Sequence, residues 1–206
     1  SYFNDFDTYL ASDWTITTTE DGTGSATEAL ADGDGGLLLI TNAAGDNDHD
    51  FFQLVKEGFK YETGKQLAFN MRFKTNDATQ SDIVGGLQLT DTTPLDVTDG
   101  IFFLKSDGGT TVTFIVEKDS TQSTLDLPNA LADDTFMTVG FVYDPKDQKF
   151  HVFQNNVLAG TVVSTNAPDN EEMTLSFGIQ NGAAAAKTLT VDYVGAMKER
   201  TAVTEL

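Results

Sequence analysis

Asp134-Thr-Phe-Met-Thr-Val-Gly-Phe-Val-Tyr-Asp144, followed after a short gap by Phe150-His-Val-Phe-Gln-Asn-Asn-Val-Leu-Ala-Gly160, is the stretch that decides the fold. Met137, Val139, Phe141 and Tyr143 recur at every second position, the period of a half-buried strand. Asp144-Pro145-Lys146-Asp147 then places proline where a type I turn wants it. Phe150 to Phe153 reads as a second strand. Asn155-Asn156 is a two-residue connection suited to a primed turn, leading into Val157-Leu158-Ala159.

The same period extends in both directions. Leu67, Phe69, Met71 and Phe73 alternate with Ala68, Asn70, Arg72 and Lys74; Met173, Leu175, Phe177 and Ile179 alternate with Thr174, Ser176, Gly178 and Gln180; Leu189, Val191 and Tyr193 close the chain in the same way. Turn signals separate these runs at short spacing: Asp21-Gly22, Gly33-Asp34-Gly35-Gly36, Asp99-Gly100 and Asp107-Gly108-Gly109 are read as positive-φ turn positions. Helical pattern is nearly absent, with one short turn expected over Leu127 to Leu131. A dozen or more strands at this spacing mean a sandwich or barrel, and the lack of any βαβ unit excludes Rossmann and TIM architectures. Gly85-Gly86, Gly140 and Gly178 interrupt apolar strands and are expected to mark bulges or close backbone approaches in a strongly bent sheet. With no composition break, Pro-rich linker or fixed-period repeat, the expectation is one domain over 1–206.

Composition narrows the function classes. Twelve Lys+Arg against 32 Asp+Glu give a formal charge of −20 and a pI near 4.1, a field that repels phosphate and anionic lipid. Nucleic-acid and membrane partners are therefore not expected. The absence of cysteine removes disulfides, thiol nucleophiles, iron–sulfur clusters and Cys-type zinc sites. The longest aliphatic run, Leu37-Leu38-Leu39-Ile40, is far short of a membrane span. Ser1 to Asp7 has neither a basic nor an apolar leader segment; the simplest reading is synthesis in a cytoplasm with the initiator Met removed, the alternative a secretory leader trimmed before Ser1.

The Asp134–Gly160 stretch resembles the central hairpin of concanavalin A-like lectin/glucanase and laminin G-like jelly rolls, where a long strand ends in Tyr-Asp and an apolar strand returns through a Gly/Asn turn. Leu189-Thr-Val-Asp-Tyr-Val-Gly-Ala196 looks like that fold's last strand, which runs beside the N-terminal one. The resemblance implies an all-β, antiparallel β-sandwich jelly roll with Phe3, Phe6 and Trp14 packed near that strand. A second resemblance, carried by Asp5-Phe6-Asp7-Thr8-Tyr9-Leu10, Ala31-Asp32-Gly33-Asp34-Gly35-Gly36, Leu39-Ile40-Thr41-Asn42-Ala43-Ala44 and Ser176-Phe177-Gly178-Ile179-Gln180-Asn181-Gly182, is to virion structural proteins of tailed, especially marine, bacteriophages. It implies a capsid decoration or other exterior part.

Residues able to carry chemistry are few. Laminarinase-type enzymes use Glu-x-Asp-x-x-Glu on a concave strand, the outer carboxylates acting as nucleophile and acid. The nearest stretch, Glu117-Lys118-Asp119-Ser120-Thr121-Gln122, ends in an amide that cannot donate a proton as a carboxylic acid does. His49 and His151 have no Gly-x-Ser-x-Gly elbow beside them and read as solvated or structural. Asp46-Asn47-Asp48-His49-Asp50, with Glu57 at the twelfth position, opens like an EF-hand loop. Phe51 replaces the required Gly, however, and Phe51 to Val55 reads as strand. Asp32 and Asp34 are the other calcium candidates, and the better reading of both groups is an acidic, solvated loop.

No catalytic, cofactor or metal residue is therefore assigned, and the ligand-binding residues are left unknown. The expected function is a non-enzymatic virion protein on the capsid exterior, a homo-oligomer on the particle contacting the major capsid protein or other virion subunits. The apolar-small stretch Gly182 to Ala186 is a candidate contact, or an ordinary loop between the last two strands. The alternative is a carbohydrate-binding, lectin-like module for cell-surface glycans, for which Phe51, Phe52, Phe59 and Tyr61 are candidate exposed aromatics, although alternation puts some of them in the core.

Overall fold

The computed structural model describes residues 1–33 and 35–200. Fifteen strands run in chain order: β1 Tyr2–Asn4, β2 Trp14–Thr19, β3 Thr27–Gly33, β4 Gly35–Thr41, β5 His49–Leu54, β6 Leu67–Thr75, β7 Ser81–Gln88 and β8 Gly100–Lys105. They continue as β9 Val112–Lys118, β10 Thr121–Asp126, β11 Met137–Asp144, β12 Lys149–Gln154, β13 Val157–Val163, β14 Thr174–Asn181 and β15 Thr188–Lys198. An eight-stranded sheet has the order β13-β12-β11-β6-β15-β4-β3, with β1 added on β15; a seven-stranded sheet has the order β10-β9-β8-β7-β14-β5-β2. All pairings between these strands are antiparallel, and the two sheets enclose one principal core. The architecture is the all-β sandwich that the alternation implies.

Parity decides which side chains enter the core. In β6, Leu67, Phe69, Met71 and Phe73 are buried while the four intervening residues are half-exposed. Register carries this pattern to neighbours, because directly paired residues share a face. Phe69 faces Phe141, and Phe114 and Phe150 from other strands close on Phe141. Trp14, Phe52 and Phe177 form a second aromatic group, with Trp14 edge-on to Phe177 at 5.0 Å. β1 pairs with β15, and Phe3 lies beside Tyr193, as the resemblance implies; Trp14, on the opposite sheet, packs edge-on to Tyr2 of β1 at 5.9 Å, and Phe6 is buried in the same core.

Several local expectations are corrected. Leu127 to Leu131 forms no helical turn: both leucines are buried, and their backbone N–H groups bond Val112 and Thr110 carbonyls. The two 3₁₀ turns lie at Ala11–Asp13 and Ser164–Asn166. Asn155-Asn156 is a positive-φ turn as expected, and Asp119-Ser120 makes another that glycine-based reading misses. Gly35 and Gly108 do have positive φ, whereas Asp99-Gly100 leads straight into β8 and Gly22 is demanded by space rather than by φ. A Cβ on Gly22 would sit 1.9 Å from the Gly45 nitrogen. The interrupting strand glycines are close approaches, while the register shifts fall elsewhere, at Val152/Phe153 and Val191/Tyr193. Among the described residues no helix is long and apolar enough to cross a membrane.

Candidate functional site

The glucanase-like stretch does not lie on one strand. Glu117 ends its run on β9, Asp119-Ser120 is the turn, and Gln122 returns on β10 directly opposite Glu117. Burial pushes the Glu117 carboxyl up; the Gln122 amide acts in the other direction, and Asp96 and Asp99 add to the rise. The residue across from Glu117 is therefore an amide and not a second carboxylate.

The EF-hand-like stretch is also taken apart by the fold. Asp48 is fully buried and accepts backbone N–H bonds from Asp21 (2.7 Å), Gly45 (2.7 Å) and Gly22 (3.0 Å). Burial pushes this carboxyl up, but the three N–H donors outweigh it and hold it below the usual range. Asp50 points into the sandwich on β5, where Thr18 donates to it. His49 turns to the opposite face and lies against Phe51. Glu57 accepts the Thr90 N–H at 3.1 Å. Asp32 is exposed at the end of β3, and Asp34 lies outside the described residues.

Among the described residues the side chains closest to a metal-type constellation are Asp144, Asp147 and His151, with one ligand atom from each within 4.8 Å of the others. His151 Nε2 is 2.9 Å from Asp147 Oδ2. Asp144 Oδ1 accepts the Lys146 N–H and Asp147 Oδ1 the Lys149 N–H, so the cluster is built by the β11–β12 turn.

The two outer sheet faces differ. On the seven-stranded sheet, residues 89–99 fold back over the centre. Val97 is buried there against Phe51, Val84, Phe102 and Ile115, with Leu95 and Leu104 alongside. Gln53 Nε2 bonds the Leu89 carbonyl, Gln53 Oε1 accepts Asp91 N–H, and Gln88 Nε2 bonds the Pro94 carbonyl at 2.8 Å. This loop covers the middle of the sheet and buries Phe51, while Phe52, Phe59 and Tyr61 are buried in the core between the sheets, so the expectation of exposed aromatics is corrected at all four positions. Gly182 to Ala186 is a partly exposed loop between β14 and β15.

The eight-stranded sheet keeps an open groove of about 440 Å³ on its outer face. Its centre is one transverse row in strict register across six strands: Leu158, Phe153, Gly140, Asn70, Gly195 and Phe3. Gly140 and Gly195 make the depression. A Cβ on Gly140 would stand 2.9 Å from the Phe69 carbonyl oxygen and 3.0 Å from Asn70 Nδ2. Phe3, 66 % exposed, walls one side with Met197; Phe153 and Asn156 wall the other. Asn70 Oδ1 is buried in the floor with no hydrogen-bond partner among the described residues. One row beyond, Arg72 is paired with Asp192 and lies 4.0 Å over the Phe136 ring.

Sequence reading missed this groove. Phe153 and Asn70 carry the solvent-side parity of their strands, which is the available signal. The row exists only once five separate registers are aligned.

The groove combines apolar walls with one unpaired acceptor in a volume typical of small-ligand sites. A sugar ring has the matching character: a C–H face to lay on Phe3 or Phe153, and a hydroxyl edge to donate to Asn70.

No protein-family model and no curated protein sequence matches the chain. Solved structures do. A glycoside hydrolase family 16 endo-glucanase from Bacteroides ovatus is similar at 15 % identity and a TM-score of 0.65, over 95 % of this chain and 99 % of that one. A protein of unknown function from Shewanella oneidensis MR-1 is similar at 17 % identity and a TM-score of 0.64, over 99 % and 87 %. The carbohydrate recognition domain of Emp46p, in its potassium-bound form, is similar at 13 % identity and a TM-score of 0.62, over 94 % of each chain. The fold is concanavalin A-like, and it is shared by enzymes and lectins alike.

Proposed function

We propose that this protein is a non-catalytic, lectin-like module that binds glycans in the groove of the eight-stranded sheet. The observation that carries the reading is the row Phe3–Gly195–Asn70–Gly140–Phe153, two aromatic walls around a floor with one unpaired buried acceptor. The names of two structural neighbours, a glucanase and a carbohydrate recognition domain, support a saccharide ligand. The groove is lined by no carboxylate among the described residues, which supports binding without hydrolysis. A glycan array followed by calorimetry tests it: saccharide binding that Phe3→Ala and Asn70→Ala each weaken is the expected result. Binding to no saccharide, or binding unaffected by both changes, overturns it.

A second reading, an exterior virion protein of a tailed phage attached to the capsid shell, is favoured by the edge strand β13, which exposes Val157, Leu158 and Val163. An exposed apolar edge is a surface that natural sheets usually cover. Its setting is the particle surface, its partners the capsid protein or neighbouring copies. Quantitative mass spectrometry of purified particles tests it, hundreds of copies supporting the reading and none refuting it.

A further inference from the structure

Six buried side-chain polar atoms lack a hydrogen-bond partner among the described residues, and three of them fall at one place. That place is the open edge of the sandwich, where β2 of one sheet faces β3 of the other. Asp50 is fully buried on β5; Thr18, its register partner on β2, donates to Oδ1, while Oδ2 has no partner. Asn42, just beyond β4, donates through Nδ2 to the carbonyls of Asp48 (2.9 Å) and Ile179 (3.2 Å) and to Asn181 Oδ1 (3.1 Å). Ile179 is the strand partner of Asp50, so Asn42 stands beside it, and Asn42 Oδ1 is the second orphan. The third is the hydroxyl of Tyr9, whose ring packs near Phe52.

Charge sharpens the picture. Glu28 on β3 pairs with the core residue Ile40 and therefore faces inward, toward the same gap. The neighbouring charges that act on Asp50 are Glu28 and Glu20, both negative. The groups placed around Asp50 from the remaining elements are Thr18, Ile179, Tyr9 and Asn42, none of them cationic. No cation stands among the groups that act on the Asp50 carboxylate, whose charge is disfavoured by burial and by the two glutamates and supported only by the Thr18 hydroxyl. Water would satisfy a lone acceptor but leaves that charge uncompensated in a low dielectric.

We propose that this edge is a binding site for a single hard cation, with Ca²⁺ the best fit, held by the carboxylates of Asp50 and Glu28, the amide oxygen of Asn42 and the Tyr9 hydroxyl. All four groups supply oxygen, none supplies nitrogen or sulfur, and two are anionic, the donor set that calcium takes in preference to transition metals. The site is separate from the Asp144–Asp147–His151 turn and from the glycan groove, and the inference stands without the proposed function.

The test is calorimetric titration of the chelator-stripped full chain with CaCl₂ in 0.15 M KCl, with MgCl₂ as the comparison and no saccharide present. One Ca²⁺ per chain is expected, with a dissociation constant on the order of 10⁻⁴ M and a rise in the thermal midpoint. Asp50→Asn and Glu28→Gln should each weaken it about 10-fold or more, and Asp147→Asn should leave it unchanged. Glu28 is only partly buried, so its variant keeps the test open if Asp50→Asn fails to fold. No stoichiometric binding, equal binding of Mg²⁺ and Ca²⁺ as general counter-ions of a −20 chain, undiminished binding in both variants, or loss only in Asp147→Asn would each overturn the proposal.

Discussion

Gln122 stands directly across the β9–β10 ladder from Glu117, and the two side chains project from the same face of the sheet. A retaining glycosidase needs two carboxyl groups about 5–5.5 Å apart, one of them able to give up a proton. The cross-strand pair has one carboxyl and one amide. Incubation with laminarin or mixed-linkage β-glucan should release no reducing sugar above a heat-denatured control, and Glu117→Gln should change nothing. Turnover that Glu117→Gln abolishes would show that the chain is an enzyme.

Asp48 ties three backbone N–H groups from two loops to one buried carboxylate. Asp48→Ala should cost about 3 kcal/mol in urea unfolding, since it strands three buried donors. The Asp48 carboxyl is held low in the fold, so its contribution is present above the ordinary carboxylate range and is lost as pH falls below about 4. The difference between wild type and variant should therefore narrow on acidification. Gly22→Ala, with its Cβ against the Gly45 backbone, should be at least as damaging.

Asp50 has the opposite sign. Its pKa, pushed up to about 6, means the folded chain binds a proton that the unfolded chain releases between about pH 4 and 6. Stability from this group is complete at the acidic end and is lost as pH rises through 6. In EDTA, Asp50→Asn should stabilise the protein at pH 7.5 by roughly 2 kcal/mol and make no difference near pH 4. Denaturant midpoints at four pH values would check both the size and the sign.

Gly140→Ala places a methyl group in the groove floor, 2.9 Å from the Phe69 carbonyl oxygen and 3.0 Å from Asn70 Nδ2. It should weaken saccharide binding about 10-fold and lower stability by about 1–2 kcal/mol. Phe153→Ala should weaken binding similarly, and Phe3→Ala, being largely exposed, should do so with the thermal midpoint almost unmoved. Competitive binding assays and thermal unfolding separate the three.

Much of the architecture is legible because it is written locally. The alternation in Leu67–Phe73 and Met137–Tyr143 assigns strand and face together, and the Asn155-Asn156 pair sets its turn. What escapes is whatever depends on register between distant strands. The Asp46–Asp50 run looks like one loop of ligands, yet β5 begins at His49 and sends Asp50 inward while Asp48 is spent on backbone donors. Phe51 carries outer-face parity and reads as an exposed aromatic, but residues 89–99 fold over it. The groove joins residues from Phe3 to Gly195, and no window of sequence contains both.

The last two strands among the described residues occupy interior positions: β14 between β5 and β7, β15 between β4 and β6. During synthesis neither sheet can close until residues beyond about 174 have left the ribosome, because each waits as two half-sheets with an unfilled slot. Those slots expose unpaired strand edges and bare core aromatics such as Phe52, a state prone to pairing with the wrong chain. A nascent chain released before β14 should be a substrate for chaperones or for aggregation rather than a partly folded domain. The net charge of −20 keeps such unfinished chains apart while they wait for β14 and β15.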